Sequence, residues 1–111
     1  FLLRDFLGLL EPLGVTVREI RSLGGGARSA LWQQIKADVC GRTFRAPACP
    51  EAAAMGAALL AGWGTGLVEP GVCALAGPMA AYHPNPAHAT AYDQAYTLYR
   101  RLYEAVSPLY D

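Results

Sequence analysis

The segment from Leu23 to Trp32, LGGGARSALW, decides how the chain folds, because it places three consecutive glycines between a strand-like and a helix-like stretch. Glycine has no Cβ and adopts positive φ angles freely, so such a turn is tight and several of its amides can face one way. A helix that begins after the turn adds unpaired N–H donors and a partial positive charge, which suit a phosphate or the polar edge of a nucleoside. The segment therefore predicts a nucleotide contact, with a plain connecting turn as the alternative.

Composition limits the classes of protein that fit the chain. Its 111 residues suit one domain with one core, and 53% of them are hydrophobic, in runs too short to span a membrane. Nine basic and nine acidic residues give a formal net charge of zero, so no basic stripe is available for nucleic acid or an anionic membrane. We therefore expect neither of those partners, and the high apolar content indicates a missing partner surface.

Cysteine and histidine usage fits an intracellular protein. The three cysteines, Cys40, Cys49 and Cys73, have no C-x-x-C spacing, and an odd number argues against a disulfide framework. A reducing cytoplasm is the expected location. His83 and His88 flank two prolines in a predicted loop, and we expect no metal site there.

The first half of the chain predicts a helix, a strand and a second helix. Apolar residues recur at helical spacing from residue 1 to about 11, so the chain starts like the middle of an amphipathic helix and resembles a piece of a longer protein. Residues 15–23 predict a strand that leads into the glycines. From Ser29, a predicted N-cap, a helix is expected to reach Cys40 and end at Gly41. We expect its buried side to carry Leu31, Trp32, Ile35 and Val39, with Gln33, Lys36 and Asp38 toward water.

The second half predicts a short strand at 43–46 and an Ala-rich helix at 51–61. The smooth surface of this helix, formed by Ala52, Ala53 and Gly56, predicts a closely packed neighbour. Residues 65–84 are typical of a long irregular connection, and Asn85 with Pro86 predicts the start of a helix through about Val106. Tyrosines recur along that helix at alternating steps of four and three, as is typical of rings packed against a domain. The chain is thus predicted to be α/β and helix-rich, with few short strands.

No group of residues predicts catalysis. The carboxylates are isolated, with Asp38 assigned to the exposed side of its helix and Glu51 to the positive end of a helix dipole. A Walker A loop needs a lysine directly after the glycines, but the only lysine is Lys36. A Rossmann fingerprint fits poorly, because Ser29 stands where its last glycine belongs. The sequence predicts a segment that binds without catalysing, with no catalytic or metal-binding residues of its own.

Three blocks of the sequence together resemble one family. Gly24–Ser29 and the helix that follows, with its Trp32, resemble the adenosine motif of the FGGY carbohydrate kinases. The stretch EAAAMGAA, Glu51–Ala58, is similar to the E-A-A-A-x-G-A-A helix of that family. The tyrosine-rich helix at 85–110 resembles the C-terminal end of its members that act on D-xylulose. Three blocks in the family's order are far more specific than one run of glycines.

The resemblance implies a sugar kinase of the actin-like ATPase type, in which two ribonuclease H-like domains enclose a cleft. Residues 1–111 would be the C-terminal portion of the second domain, including the tyrosine-rich helix 85–110. The adenosine and phosphates of ATP would lie along Gly24, Gly25, Gly26, Ala27, Arg28 and Ser29. Mg²⁺ would accompany ATP, and the acceptor would be a pentulose, with D-xylulose as the first expectation.

The resemblance also implies what these residues lack. The catalytic aspartate, the first phosphate motif and the sugar-binding residues would lie before residue 1, so the remainder of the kinase chain is the expected partner. A homodimer is a further possibility. The segment alone is expected to be inactive and to bind ATP weakly. The alternative hypothesis is a non-catalytic interaction or oligomerisation module with a tyrosine-lined helical interface.

Overall fold

A computed structural model describes residues 1–69, 71 and 77–110 of the chain. The helices are α1 (Leu2–Leu10), α2 (Ala30–Cys40), α3 (Ala52–Gly64) and α4 (Pro86–Val106), and the strands are β1 (Glu19–Arg21), β2 (Thr43–Pro47) and β3 (Met79–Tyr82). Short 3₁₀ helices cover Glu11–Leu13, Gly25–Arg28 and Ser107–Leu109.

The sheet has β2 at its centre. β1 runs parallel to β2, with Glu19 opposite Thr43, and β3 runs antiparallel on the other side, with Tyr82 opposite Phe44. Parallel neighbours need a crossover connection, and α2 supplies it between β1 and β2. The glycine turn therefore lies where the chain leaves the carboxyl end of β1 and enters α2.

The ends of α2 confirm the sequence prediction. Ser29 is the N-cap, and its hydroxyl accepts a hydrogen bond from the Trp32 amide at 3.2 Å. Gly41 ends the helix in the left-handed conformation, at φ +61°. This is a conformation that glycine adopts without steric cost.

The predicted orientation of α2 is wrong. Gln33, Ala37 and Asp38 are its buried residues, whereas Leu31 and Trp32 are exposed. Both buried polar side chains form hydrogen bonds: Gln33 donates from Nε2 to the glycine turn, and Asp38 accepts from residues at the start of α4. The buried side of α2 thus carries polar side chains and the small Ala37. A prediction from hydrophobicity alone therefore places the buried side on the wrong face of the helix.

Lys36 was also predicted to face water. Its ammonium group instead donates to Ser22 Oγ at 2.8 Å and lies 5.2 Å from the centre of the Phe44 ring. Burial lowers the pKa of Lys36. Phe44 is the largest buried apolar side chain of the described residues, so the core lies between the middle of β2 and this face of α2.

Three element boundaries differ from the sequence prediction. β1 is shorter than the predicted strand at 15–23, because only Glu19–Arg21 pair with β2. β3 lies inside the predicted connection at 65–84. It forms because it pairs with β2, a distant contact that local composition does not reveal. α3 continues past the predicted end at 61 and includes Gly62 and Gly64, because glycine weakens a helix without forbidding it.

The apolar helix α3 buries none of its residues. At Gly56, which belongs to its predicted smooth surface, an added Cβ would meet no atom within 4 Å. The predicted close packing of the surface formed by Ala52, Ala53 and Gly56 stays a prediction.

The tyrosine-rich helix forms as predicted. Asn85 is its N-cap and accepts from the Ala87 amide at 3.0 Å, and Pro86 is its first residue. Tyr96 packs against Phe1, with ring centroids 5.8 Å apart, and its hydroxyl donates to Asp5 at 2.5 Å. Tyr103 stays exposed, so only part of the tyrosine series covers α1.

Within the described ranges, no helix combines the length and the apolar character needed to cross a membrane. Cys40 and Cys49 are free thiols there, and Cys73 lies outside the described residues. Burial raises the pKa of the Cys40 thiol.

Candidate functional site

The glycine turn is a tight left-handed bend followed by one turn of 3₁₀ helix. Gly24 has φ +74° and ψ −173°, a conformation that strains a residue with a side chain. The Ala27 amide donates to the Gly24 carbonyl at 3.0 Å, which closes the bend. Ala27 is buried, so the turn has one side chain fixed in the protein and its glycines at the surface.

Three contacts hold the turn to other elements. The Gly24 amide donates to the Pro50 carbonyl at 2.8 Å, just before α3. The Gln33 side chain donates from Nε2 to the Gly26 carbonyl, also at 2.8 Å. Arg28 forms an ion pair with Glu51. The backbone conformation of the turn is therefore fixed from both α2 and the approach to α3.

Two amides of the turn remain available. Neither the Gly25 nor the Gly26 N–H donates to an acceptor within the described part of the chain. Both glycines are exposed and precede the N-terminus of α2, whose dipole favours negative charge. Adjacent free amides shortly before a helix can donate to an anion, so these two groups are candidate donors to a phosphate.

A cleft of about 570 Å³ lies beside the turn. Its lining residues are Ala27, Arg28, Ala46, Pro47, Ala48, Pro50, Pro78, Met79, Ala80 and Tyr82. Arg28 is the one charged residue of this set, and the remaining walls are mostly apolar. Such a cavity, apolar with few polar groups, is typical of sites for small organic ligands.

The structure brings the predicted site residues together only in part. Ala27 and Arg28 line the cleft, whereas Gly24, Gly25 and Gly26 lie outside its lining. Ser29 is committed through its hydroxyl to capping α2. The glycines are thus adjacent to the cleft, which Ala27 and Arg28 of the same turn line.

Sequence reasoning missed the contacts that shape this surface. Glu51 was assigned to the dipole of α3, but its carboxylate pairs with Arg28, and this hydrogen bond holds the pKa of Glu51 below its usual value. Gln33 is expected from the sequence on the exposed side of α2, but it is fully buried. The Arg28–Glu51 contact has no local signal, because its residues are 23 positions apart and are brought close by the fold. The Gln33 contact spans seven residues, and the apolar pattern of α2 does not reveal it. Among the described residues there is no cluster of three or more metal-ligating side chains.

Curated proteins are similar in sequence to most of this chain. Autoinducer-2 kinase of Klebsiella pneumoniae is 35% identical over 81% of the chain, which corresponds to 18% of that protein. Xylulose kinase of Staphylococcus epidermidis is 31% identical over 96% of the chain and 22% of that protein. The chain therefore spans about a fifth of the length of these relatives.

The fold also matches a solved structure. Xylulose kinase from Rhodospirillum rubrum superposes on 96% of the chain and 22% of its own length, with a TM-score of 0.72 and 28% identity. This likeness confirms the predicted fold, a helix-rich C-terminal fragment of an actin-like ATPase fold. Residues 1–65 match the model of the C-terminal domain of the FGGY family of carbohydrate kinases. The glycine turn, the Arg28–Glu51 pair and the cleft thus belong to a chain that is a member of the FGGY family of carbohydrate kinases.

Proposed function

We propose that this segment forms the adenosine side of the ATP site in a sugar kinase that transfers the γ-phosphoryl group of ATP to a sugar hydroxyl. The observation that carries the proposal is the pair of free amides at Gly25 and Gly26, in the 3₁₀ turn that precedes α2, within the range that matches the family. The family match supports a kinase, and the geometry of the turn supports an anionic ligand.

Different parts of the site would contact different parts of the nucleotide. The Gly25 and Gly26 amides would donate to phosphate oxygens, and the apolar cleft beyond Ala27 would take the uncharged base. Mg²⁺ prefers phosphate oxygens and water, so it would enter with ATP rather than bind to this segment alone. Phosphoryl transfer also needs a positioned acceptor and a base. Both would come from the remainder of the kinase chain.

The acceptor is proposed to be D-xylulose, because relatives that cover nearly the whole chain are xylulose kinases. Autoinducer-2 is the second candidate, since the Klebsiella pneumoniae kinase named for it is 35% identical over 81% of the chain. Either acceptor fits a cytoplasmic enzyme. The choice depends on residues outside this segment.

The test uses the complete protein that contains this segment. ATP consumption is measured in a coupled assay with D-xylulose and, separately, with autoinducer-2. We expect turnover with one of them, while residues 1–111 alone give none and show no micromolar ATP binding by calorimetry. A complete, folded protein that consumes ATP with neither acceptor would contradict the proposed substrates.

A pair of glycine variants tests the site itself. In Gly25→Ala, the new methyl group meets no atom of the folded chain within 4 Å and φ is not positive, so the fold is retained. The methyl group would obstruct a phosphate at the Gly25 amide, and we expect the KM for ATP to rise about tenfold, the loss of one good hydrogen-bonded contact. Gly8→Ala, in α1, also meets open space and serves as the matched control. An unchanged KM for ATP in Gly25→Ala would overturn this placement of the nucleotide.

An interaction role has its own support. Tyr103 and Tyr110 are 68% and 87% exposed, and Leu98 and Leu102 of α4 are exposed as well. If this face pairs two copies, light scattering of the complete protein would show a dimer that Leu102→Glu dissociates. A monomer at micromolar concentration would exclude the homodimer.

A further inference from the structure

Arg28 is the one cation among the residues that line the cleft, and it is the last residue of the glycine turn. Its side chain is 68% exposed, and its Nη2 donates to a Glu51 carboxylate oxygen. A guanidinium has five N–H donors in a rigid fork, so one partner leaves donors free. Arg28 can therefore bind Glu51 and a second anion at the same time.

Glu51 is itself fixed relative to the turn. The preceding residue, Pro50, is buried and accepts the Gly24 amide through its carbonyl. The second carboxylate oxygen of Glu51 lies 3.6 Å from the Cys49 thiol, which donates to it. The carboxylate that binds Arg28 is thus one residue away from the backbone contact that anchors the turn.

We propose that Glu51 is a positioning residue, which holds the Arg28 guanidinium at the mouth of the cleft so that it binds a phosphate of ATP. This inference rests on the proposed function, and it adds a side-chain cation to the backbone donors of the turn. Without Glu51, a long and exposed arginine side chain samples many rotamers, and binding the phosphate must then order it. With Glu51, that ordering is complete before ATP arrives.

Charge and positioning predict opposite effects for Glu51→Gln. The substitution removes a negative charge near the proposed phosphate site, and Coulomb attraction alone would then lower the KM for ATP. Loss of positioning raises it. We expect the KM for ATP to rise about fivefold with kcat changed less than twofold, as when an interaction common to the bound ground state and transition state is lost.

Arg28→Gln gives the second arm of the test in the complete kinase. We expect it to raise the KM for ATP about tenfold, in line with the loss of a charge-assisted contact. In the Arg28→Gln background, Glu51→Gln should cause no further rise, because Glu51 acts through Arg28. An equal rise in both backgrounds, or an unchanged KM for ATP in Arg28→Gln, would overturn the proposal.

Glu19→Gln is the matched control. Glu19 also pairs with an arginine, Arg45, at 2.7 Å, and the exposed fractions of the two glutamates are 38% and 41%. Glu19 lies outside the cleft lining, so the KM for ATP of the Glu19→Gln variant should equal that of the wild type. An effect of Glu19→Gln as large as that of Glu51→Gln would show a general charge effect and would also overturn the inference.

The failure of this inference can be told apart from the failure of the proposed function. If the wild-type protein phosphorylates no sugar, the proposed function fails. If the wild-type protein is active and Glu51→Gln leaves the KM for ATP unchanged or lowers it, only this inference fails.

Discussion

Asp38, in the last turn of α2, accepts a hydrogen bond from Nδ1 of His88, in the first turn of α4, at 2.8 Å. The same carboxylate accepts the Asn85 amide at 2.7 Å and Gln34 Nε2 at 2.8 Å. Its side chain is only 3% exposed. A buried carboxylate with three donors joins α2 to the start of α4, so it fixes the C-terminal helix against the crossover that carries the glycine turn.

Asp38→Asn should destabilise the protein by about 2 to 3 kcal/mol, because buried hydrogen bonds to a charged group are lost and one donor faces an amide N–H. Urea unfolding measures the change. Asp93→Asn is the control, since Asp93 binds Arg4 at 2.7 Å but its side chain is 61% exposed, and an exposed pair contributes about 1 kcal/mol or less. Equal losses in the two variants would show that burial of Asp38 adds nothing.

The acid sensitivity of the fold should also depend on Asp38. Burial raises the pKa of Asp38, but the hydrogen bonds from His88, the Asn85 amide and Gln34 outweigh it, and the net pKa is lowered. Its stabilisation is therefore complete above the unfolded-state pKa of about 3.9 and is lost as the pH falls through the folded-state pKa.

Unfolding free energies measured from pH 7 down to pH 3 should thus fall less steeply for Asp38→Asn than for the wild type. Some dependence should persist, because the Tyr96 hydroxyl and Arg100 also hold the pKa of Asp5 below its usual value. Identical slopes for wild type and Asp38→Asn would contradict the lowered pKa of Asp38.

The sequence allowed the elements to be predicted where the signal is local, and it failed where contacts are distant. Ser29 and Asn85 cap their helices as predicted, because capping involves residues two or three positions apart. The buried side of α2 was predicted wrongly, since Asp38 is buried by partners 47 and 50 residues away. The proposed site shows the same difference: the sequence predicts the glycine turn between β1 and α2, whereas it does not predict the contact of Arg28 with Glu51.

Gln33 provides a test of how the turn is held. It is fully buried, donates from Nε2 to the Gly26 carbonyl, and its Oε1 has no partner among the described residues. Gln33→Glu would place an unpaired charge there and remove the donor, so we expect a loss of at least about 3 kcal/mol or failure to fold.

Gln33→Met should instead stay within about 1 kcal/mol of the wild type, because removal of the unpaired acceptor offsets loss of one hydrogen bond. Chemical unfolding compares the two variants with Gln94→Glu, an exposed substitution in α4 expected to change stability by about 0.5 kcal/mol or less. A stable Gln33→Glu protein would mean that this side chain reaches water.

Two glycines of α3 should respond in opposite directions to alanine. At Gly62, a Cβ would lie 2.7 Å from Val68 Cγ2 and 3.2 Å from Val68 Cβ, so Gly62→Ala forces the chain after the helix away and should be destabilising by about 1 to 3 kcal/mol. At Gly56 nothing lies within 4 Å, and Gly56→Ala should stabilise the helix by about 0.5 to 1 kcal/mol.

Thermal unfolding of the two α3 variants in the complete protein distinguishes an open helix face from a covered one. If Gly56→Ala raises the melting temperature while Gly62→Ala lowers it, the surface formed by Ala52, Ala53 and Gly56 has room for a methyl group. If both lower it, another part of the complete protein packs closely on that surface, as the run of small side chains predicts, because overpacking a close contact costs more than helix propensity returns.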